Sequence, residues 1–556
     1  MAAVMALLTC LTALTGCYND YIVLTETIVP QIPDETAEPT REAVPSGGIL
    51  TLAVLGEADS VNPLVTFNED IIYCSAFFYE PLIRLGGSMT PEPGLAEDWL
   101  SQDGVNWTVI LKSGVRFHDG TALSGEDVAA TVEAVRNSNG AYSECVKNIA
   151  EVTYEDGKVF FRLNESDGLF PWRLYFPILK AGQTGENIPA GTGAFKYMGE
   201  TGNVLHFGQN SDYHGGRANI DGLELHFYSD ASEKAVSECD IIVLTGDAAI
   251  KYGSQLGYSV RRFDENSMIC LVPYIYTGPD IEYVLNEKQK IVQKATKRQE
   301  ALSINMRSVI AETVDRDRVI ERTVSGWGKA YDWPGLDNCI FRKNVEIPTP
   351  SDQRIEKLLK SEGYTHEGGN TNWYKADDTD KKNPLTFNFL ADSEDVELIH
   401  ALDSVVSRLK AVGIKSTVKV ASGGEFTSLF LSGEYDYIFM RLNMDFCPDM
   451  SAAFAKDSIF NYNGYDTEWI TASLSGLVSG WRFGSAVSGK DACLAFAERF
   501  SAGLEKIYER FSSELPFLGL YVRTGGVLIS SRVNIGDSAG FESWNLFPDI
   551  TEWYLV

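Results

Sequence analysis

Residues 94–128 read GLAEDWLSQDGVNWTVILKSGVRFHDGTALSGEDV and contain a strand pattern followed by the start of a helix. Trp107–Leu111 alternates large apolar residues with their neighbours, which is typical of a half-buried strand. Ser124 stands where an N-cap is expected, before two acidic residues, and the apolar positions Val128, Val132 and Val135 continue the helix. A strand followed by a capped helix indicates an α/β domain.

The same signals recur on both sides of this stretch. Gly48–Leu55 is predicted to form a strand, and Gln299–Val324 a long amphipathic helix. A second helix over Asp395–Val412 ends at Gly413, the position where glycine is favoured, and Ile414–Val420 follows as a strand. We find no internal repeat. The sequence therefore predicts an α/β protein with an inserted part that is richer in antiparallel pairs.

The composition limits the classes of function. The chain has 556 residues, of which 44% are hydrophobic and 11% aromatic, so it can bury a sizeable core. Its 77 acidic and 47 basic residues give a net charge of -30. Such a charge argues against binding to nucleic acid and against adhesion to anionic lipid.

The amino-terminal segment has the features of an export signal. Ala2–Leu14 carries no charge and, at this length, is too short to span a membrane but suits the apolar region of a signal peptide. It leads into L-T-G-C, which resembles a lipobox, so residues 1–17 are predicted to be a lipoprotein signal with Cys17 as the lipidated residue. An ordinary signal with a chance cysteine is the alternative. Residues 18–46, rich in Thr, Glu and Pro, are predicted to be a disordered tether.

The remaining cysteines do not form a recognisable motif. Seven are left if Cys10 leaves with the signal and Cys17 takes the lipid, and an odd number cannot all pair within the chain. None forms a C-x-x-C pair, which argues against zinc and redox sites. We predict buried free thiols, and one or two bridges stay open as an alternative.

Two motifs that suggest catalysis are incomplete. Gly536–Gly540 matches G-x-S-x-G, but the hydrolases that use it need a later histidine, and the last histidine here is His400. Gly484–Lys490 matches a phosphate loop, but Asp491 stands where Ser or Thr would bind magnesium. No histidines have H-x-x-x-H or H-E-x-x-H spacing. We therefore predict no enzyme activity, no cofactor and no metal site.

Taken together, these segments resemble family 5 of the bacterial extracellular solute-binding proteins, the oligopeptide, dipeptide and nickel-chelate binders of ABC importers. The resemblance begins with G-L-A-E-D-W and G-V-R-F-H-D-G-T in residues 94–121 and covers about residues 47–556. His118 lies in the F-H-D-G turn, where a structural hydrogen-bonding role is expected. One departure is Gly519, which replaces the second proline of the late P-x-x-P-L-Y motif. Further matches follow in the family's order: Gly191–Gly193 with Phe195, Asn210–Gly216, Ala311–Asp317, Leu358–Leu359 with Gly363–Tyr364, Gly413–Ile414, Gly433–Asp436, Pro448–Asp449 and Leu515–Tyr521.

The resemblance implies a type II periplasmic-binding fold, with two main lobes joined by a hinge and a third, inserted lobe. Lobe I would comprise residues 47–80, 190–274 and 515–556. Lobe II would be the insertion of residues 81–189, and lobe III would span residues 275–514. The chain would cross between lobes I and III near Val272 and Pro516.

The function implied is that of a substrate-binding lipoprotein. It would capture di- or oligopeptides between two lobes, at the extracytoplasmic face of the bacterial membrane, and deliver them to the permease and ATPase of an ABC importer. A monomer is expected, held at the membrane by its lipid anchor. Two alternatives stay open: the same fold binding a nickel or haem chelate or an oligosaccharide, and a surface signalling or adhesion lipoprotein.

The resemblance also indicates a ligand-binding segment. In peptide binders of this family an aspartate just ahead of a Pro-Asp element pairs with the peptide's α-amino group, and Asp445 occupies that place. Phe446 is its neighbour in the same candidate site, and Asp449 is the rival if the alignment slips. Asp445 as a loop acid that caps backbone amides is the alternative.

Overall fold

The protein is described by a computed structural model that covers most of the chain after residue 44. The described residues are 45–56, 60–275, 301–333, 335, 339–341, 347, 349–366, 371–378, 380, 382–444, 449–454, 465–482, 489–536 and 541–556, with the backbone of 281–285 and 291–295. The predicted signal, the lipobox with Cys17 and nearly all of the tether lie outside them.

The described residues form twenty-three strands and twelve α-helices. The strands are β1 (Ile49–Leu55), β2 (Ile83–Leu85), β3 (Pro91–Pro93), β4 (Ala96–Ser101), β5 (Asn106–Leu111), β6 (Ile149–Glu155), β7 (Lys158–Leu163), β8 (Phe195–Thr201), β9 (Val204–Gln209), β10 (Gly222–Tyr228), β11 (Ile241–Leu244), β12 (Tyr258–Pro273), β13 (Ile281–Leu285), β14 (Ile291–Ala295), β15 (Gly328–Ala330), β16 (Tyr364–Thr365), β17 (Tyr374–Lys375), β18 (Thr386–Asp392), β19 (Lys415–Ala421), β20 (Tyr437–Asn443), β21 (Leu518–Ser530), β22 (Val533–Asn534) and β23 (Tyr554–Leu555). The helices are α1 (Glu69–Cys74), α2 (Gly125–Arg136), α3 (Phe170–Arg173), α4 (Glu233–Glu238), α5 (Gly246–Tyr252), α6 (Ile304–Thr313), α7 (Arg316–Val324), α8 (Asp352–Ser361), α9 (Val396–Ala411), α10 (Gly423–Ser432), α11 (Glu468–Val478) and α12 (Gly489–Glu514).

One eleven-stranded mixed sheet organises the molecule. Its order is β19-β18-β20-β12-β21-β11-β1-β10-β9-β8, and β15 pairs with β21 beside this path. β18 runs parallel to β19 and β20, while β1 runs parallel to β10 and β11. Between these two parallel sets, β12 and β21 pair with each other in antiparallel orientation. The predicted α/β class is confirmed.

The second sheet confirms the predicted antiparallel insertion. It contains β4, β5, β7 and β6 in that order, and all three pairings are antiparallel. Its β5 buries Trp107, Val109 and Leu111 and leaves the residues between them half-buried, as the alternation predicts. One face packs on α12, where the Trp99 Nε1–H donates to Cys493 Sγ at 3.3 Å.

The helix predicted from Ser124 forms α2. Ser124 and Asp127 make a reciprocal capping box, with the Ser124 N–H donating to Asp127 Oδ2 at 2.9 Å. Val128, Val132 and Val135 are buried. Local capping and apolar spacing are therefore enough to place this element.

The single helix predicted over Gln299–Val324 is wrong, because the chain forms α6 and α7 with a break between them. Val314 adopts an extended conformation, and the Asp315 carboxylate accepts the Arg318 N–H at 3.0 Å as the cap of a new helix. A capping aspartate ends the first helix although the apolar spacing continues across it.

The glycine turn predicted at Gly191–Gly193 lies against Phe77 and Phe78. A Cβ atom at Gly191 would lie 1.9 Å from the Phe78 carbonyl oxygen, so only glycine fits. His118 is wedged beside this turn, where Nδ1 accepts the Gly191 N–H at 3.4 Å and Nε2 faces the Gly193 carbonyl oxygen at 3.1 Å. The structural role expected for His118 is confirmed.

The departure at Gly519 has a similar explanation. A Cβ atom there would lie 2.6 Å from the Tyr331 carbonyl oxygen, because β15 and the segment after it pass close to β21. The Gly519 carbonyl oxygen accepts a hydrogen bond from Arg316 Nε at 2.8 Å. The backbone contact excludes any side chain at this position.

The described cysteines are all buried. Cys74, Cys239, Cys270 and Cys493 are free thiols, as predicted. Burial raises the pKa of Cys270 to about 12, so its reactive thiolate form is scarce. Within the described part of the chain, no helix combines the length and apolar character needed to cross a membrane.

Candidate functional site

The carboxyl ends of the two parallel strand sets meet at an irregularity in β12. The β12–β21 register shifts between Asp264 and Met268. On one side of the shift Leu244, the last residue of β11, lies opposite Gly526 of β21. On the other side Asn443, the last residue of β20, lies opposite Ser267. Ligands of open α/β sheets bind at such a place, outside the carboxyl ends of strands where the strand order changes direction.

Two helices begin at this edge and bring acidic residues to it. α5 follows β11 directly and carries Asp247 in its first turn, while α9 follows β18 and carries Glu397. Asp395 caps α9 by accepting the Leu398 N–H at 3.1 Å. The cap and the first turn of α9 therefore place two carboxylates at the strand ends.

Arg441, near the end of β20, holds both carboxylates of α9. Its Nε and Nη2 donate to the two Asp395 oxygens at 3.0 and 3.2 Å, and Nη2 also donates to Glu397 Oε2 at 2.7 Å. The Tyr521 hydroxyl donates to Glu397 Oε1 at 2.7 Å. This fork geometry fixes the side chains in one arrangement.

Arg523 on β21 connects the two sides of the crevice. Its Nη1 lies 3.4 Å from Glu397 Oε2 and its Nη2 lies 3.1 Å from Asp247 Oδ1. The Arg523 side chain is 12% exposed and the Glu397 side chain 10%. One guanidinium thus joins the first turns of α5 and α9.

Glu265 lies within the register shift itself. Its Oε1 accepts the Gly246 N–H at 3.1 Å. Burial raises the pKa of Glu265, although the Gly246 hydrogen bond and the positive charge of Arg523 act in the opposite direction. We call Asp247, Glu265, Asp395, Glu397, Arg441 and Arg523 the strand-end cluster. Its four carboxylates face two guanidinium groups, so the crevice is net negative.

Of the site residues predicted from the sequence, Asp449 is described and contacts none of the cluster residues in the bonds given below. Asp445 and Phe446 lie outside the described residues, but Met444 directly before them donates its N–H to the Asn266 carbonyl oxygen at 2.7 Å, within the β12 shift. The described chain therefore leads into the predicted segment at the strand-end crevice.

Asp449 lies on the far side of that segment and is held by Arg173. The Arg173 Nη2 donates to Asp449 Oδ2 at 2.7 Å, and Arg173 Nε donates to Asp167 at 2.7 Å. Burial raises the pKa of Asp449, but Arg173 and the hydrogen bonds of Ser451 outweigh burial and hold the pKa below its ordinary value. Asp449 is therefore a charged partner of Arg173.

Sequence reasoning missed Glu265, Arg441 and Arg523. Each lies within a strand, and only the pairing of β12, β20 and β21 brings them together. The acidic first turn of α9 was a visible signal, but its partners are more than forty residues away in the chain. Most of the two incomplete catalytic motifs, residues 484–488 and 537–540, lies outside the described residues. The Gly489 N–H, at the end of the phosphate-loop match, donates to Asp98 at 2.8 Å. No group of three or more metal-binding side chains that could hold an ion occurs among the described residues.

The α/β sheet with a crevice at its central strand ends defines an extracellular solute-binding protein of the type II periplasmic-binding fold. The family model for bacterial extracellular solute-binding proteins, family 5 middle, matches residues 90–458. The chain belongs to this family, so the resemblance predicted from the motifs is confirmed.

Individual relatives agree with this assignment. The oligopeptide-binding protein AppA of Bacillus subtilis is 21% identical over 506 residues, which is 85% of this chain and 86% of AppA. The solved structure of that protein in complex with a nonapeptide matches with a TM-score of 0.57 and 18% identity, over 92% of this chain and 99% of the other. A nickel ABC transporter structure from Bacillus halodurans matches with a TM-score of 0.67 and 19% identity, over 90% and 98% of the two chains. These structures confirm the fold.

Proposed function

We propose that this protein binds peptides in the crevice at the strand-end cluster and delivers them to the permease and ATPase of an ABC importer. The observation that carries the proposal is the excess of carboxylates over guanidinium groups in the crevice. A peptide held mainly through its backbone needs a fixed negative group for its ammonium, in a site from which water is excluded. The similarity to AppA, named as an oligopeptide-binding protein, supports the same ligand class.

Asp445 is proposed as the direct partner of the peptide ammonium. The described chain enters this segment at Met444, beside the β12 shift, and leaves it at Asp449. Asp449 already pairs with Arg173 at 2.7 Å. This pairing favours Asp445 over Asp449 as the amine anchor, and Phe446 is proposed as its apolar neighbour in the site.

Ligand binding is proposed to close two lobes around the crevice. Lobe I would comprise residues 47–80, 190–274 and 515–556, lobe II residues 81–189 and lobe III residues 275–514. β12 and β21 lie between the two parallel sets of strands and connect them, and the register shift at Asp264–Met268 offers a place for the bend. A ligand that contacts both sides stabilises the closed state, which the importer then distinguishes from the open one. Small-angle scattering should show a smaller radius of gyration at saturating peptide, and an unchanged radius would contradict closure.

The protein is proposed to work as a monomeric lipoprotein at the extracytoplasmic face of the membrane, anchored through Cys17. The apolar run and the lipobox support export and attachment. Binding without catalysis is what the family's role as solute binders supports.

A cationic chelate is the second candidate ligand, because the same negative crevice also suits a positively charged metal complex and a nickel transporter shares the fold. Mass spectrometry of molecules released when the purified protein is denatured separates the two. Peptides in the released fraction would support the proposal. Recovery of a nickel or haem complex, with no calorimetric binding of free peptides, would overturn it.

A further inference from the structure

A cavity lies where β2, β4, the residue after β5 and the loop after β9 come together. Its volume is about 540 Å³. Charged and polar side chains line it, among them Glu80, Arg84, Glu97, Lys112 and Ser113. None of these residues belongs to the strand-end cluster.

The buried carboxylate in this cavity, that of Glu80, is hydrogen-bonded to neighbouring side chains through both of its oxygens. Glu80 accepts hydrogen bonds from Thr192 Oγ1 at 2.9 Å and from the Tyr213 hydroxyl at 3.1 Å, and His214 Nε2 lies 3.0 Å from its second oxygen. These contacts tie the glycine turn and the loop after β9 to the residue that precedes β2. Glu80 therefore has a structural role, and its two oxygens are occupied by hydrogen bonds within the protein.

The basic side chains of the cavity differ from Glu80 in their hydrogen bonding. Within the described part of the chain, the side chains of Arg84, Lys112 and Ser113 make no hydrogen bond and no ion pair. Burial lowers the pKa of Lys112, and the positive charge of Arg84 lowers it further, while Glu80 and Glu97 act in the opposite direction. Arg84 is exposed and Lys112 partly buried, and both side chains line the same cavity.

We propose that this cavity binds a small anion through carboxylate or phosphate oxygens. The Arg84 guanidinium offers a fork of donors that matches either group, Lys112 supplies a second positive charge, and the Ser113 hydroxyl supplies a neutral donor. A bound anion would offset the effect of the Arg84 charge on Lys112. Glu97 borders the same cavity, and its carboxylate opposes a ligand with a second anionic group, which favours a ligand with one anionic head.

Calorimetry at low ionic strength tests the site, with inorganic phosphate in one arm and acetate in the other. We expect saturable binding of at least one anion, weakened about a hundredfold or more in the double variant Arg84→Ala, Lys112→Ala, because it removes two charged donors that each contribute about tenfold or more. Lys158→Ala is the matched control, since Lys158 is an exposed cation on the same four-stranded sheet. Its affinity for the anion should equal that of the native protein.

The two arms identify the ligand class. Tighter binding of phosphate assigns a phosphate site, and tighter binding of acetate assigns a carboxylate site. Ser113→Ala and Arg84→Lys give milder losses and keep the test valid if the double variant is unstable. The proposal is overturned if neither anion binds saturably, or if the variants of Arg84 and Lys112 bind as the native protein does. Peptide affinity at the strand-end cluster should stay unchanged in all variants, so failure here is distinct from failure of the proposed function.

Discussion

The guanidinium of Arg523 on β21 lies 3.4 Å from the Glu397 carboxylate in the first turn of α9, and both side chains are nearly buried. The same guanidinium reaches Asp247 at the start of α5. A nearly buried ion pair between β21 and α9 therefore ties this helix to the central strands, whereas the Asp247 side chain is 98% exposed and its contact with Arg523 lies at the surface.

Arg523→Ala should destabilise the protein by about 3 kcal/mol. Removing one partner of a nearly buried ion pair leaves the other charge without compensation. Denaturant unfolding measures the loss. Arg162→Ala is the control, because its pair with Glu151 at 3.0 Å is more than half exposed and should contribute less than about 1 kcal/mol. Equal losses in the two variants would contradict the role of Arg523.

Asp445→Ala should weaken peptide binding by about thirtyfold or more, because a buried ammonium would lose its counter-charge, at a cost of about 2–5 kcal/mol. An N-acetylated peptide should lose similar affinity on the native protein and little more on the variant. Asp449→Asn is the comparison: it breaks the Arg173 pair and should lower stability without removing the preference for a free amine. Calorimetry in which native protein and variant bind both peptides equally would refute the amine anchor.

Cys17→Ser should release the exported protein from the membrane, because a serine cannot receive the thioether-linked lipid of a lipobox cysteine. Fractionation followed by immunoblotting reads this out. Cys10→Ser, within the apolar run, is the matched control and should leave attachment intact. If the Cys17 variant still sediments with membranes, the anchor lies elsewhere.

His118 should make the protein less stable in mild acid. Burial, aided by Lys196, lowers the pKa of its ring, against the hydrogen bond to Gly193 and the charges of Glu80 and Asp119. Because the folded-state pKa lies below the unfolded value of about 6.5, the unfolded chain binds more protons as the pH falls through that value, and stability decreases. Urea unfolding at pH 7.5 and 5.5 should show a smaller difference for His118→Asn than for the native protein. His400 is exposed, so His400→Gln should leave the stability difference between the two pH values as it is in the native protein. The same stability difference in His118→Asn as in the native protein would rule out this explanation.

Two glycines after helix ends differ in what surrounds them. Gly413 after α9 and Gly363 after α8 both have a φ of +80°, but a Cβ atom at Gly413 would lie 1.9 Å from the Thr371 carbonyl oxygen, whereas nothing lies within 4 Å at Gly363. Gly363→Ala should cost about 1–2 kcal/mol for the left-handed conformation, and Gly413→Ala at least about 1 kcal/mol more. Thermal unfolding compares the two variants. Equal shifts in melting temperature would mean that the backbone near Thr371 moves away from the new Cβ atom without a loss of stability.

The parts of the fold that the sequence predicted are those decided by neighbours in the chain. β5 follows from alternation, α2 from the cap at Ser124, and α9 from its amphipathic pattern and the closing Gly413. The break at Val314–Asp315 was missed because apolar spacing continues across it, although Asp315 is itself a capping residue. The family's motifs led to the region of Asp445, but Glu265, Arg441 and Arg523 could not be predicted together, since strands far apart in the chain must pair before these charges meet.

The two long central strands also limit how the halves of the sheet can move. β12 is paired with β21 on both sides of its register shift, from Tyr258 to Asp264 and again from Met268 to Leu271. Sliding one half past the other would break hydrogen bonds along both paired segments, whereas bending at the shift breaks none of them. The proposed closure would therefore be a bend at this shift, which leaves both paired segments intact. Complexes with ligands of different size would then differ in the angle between the two halves of the sheet. A membrane partner that senses this angle would need no contact with the ligand itself.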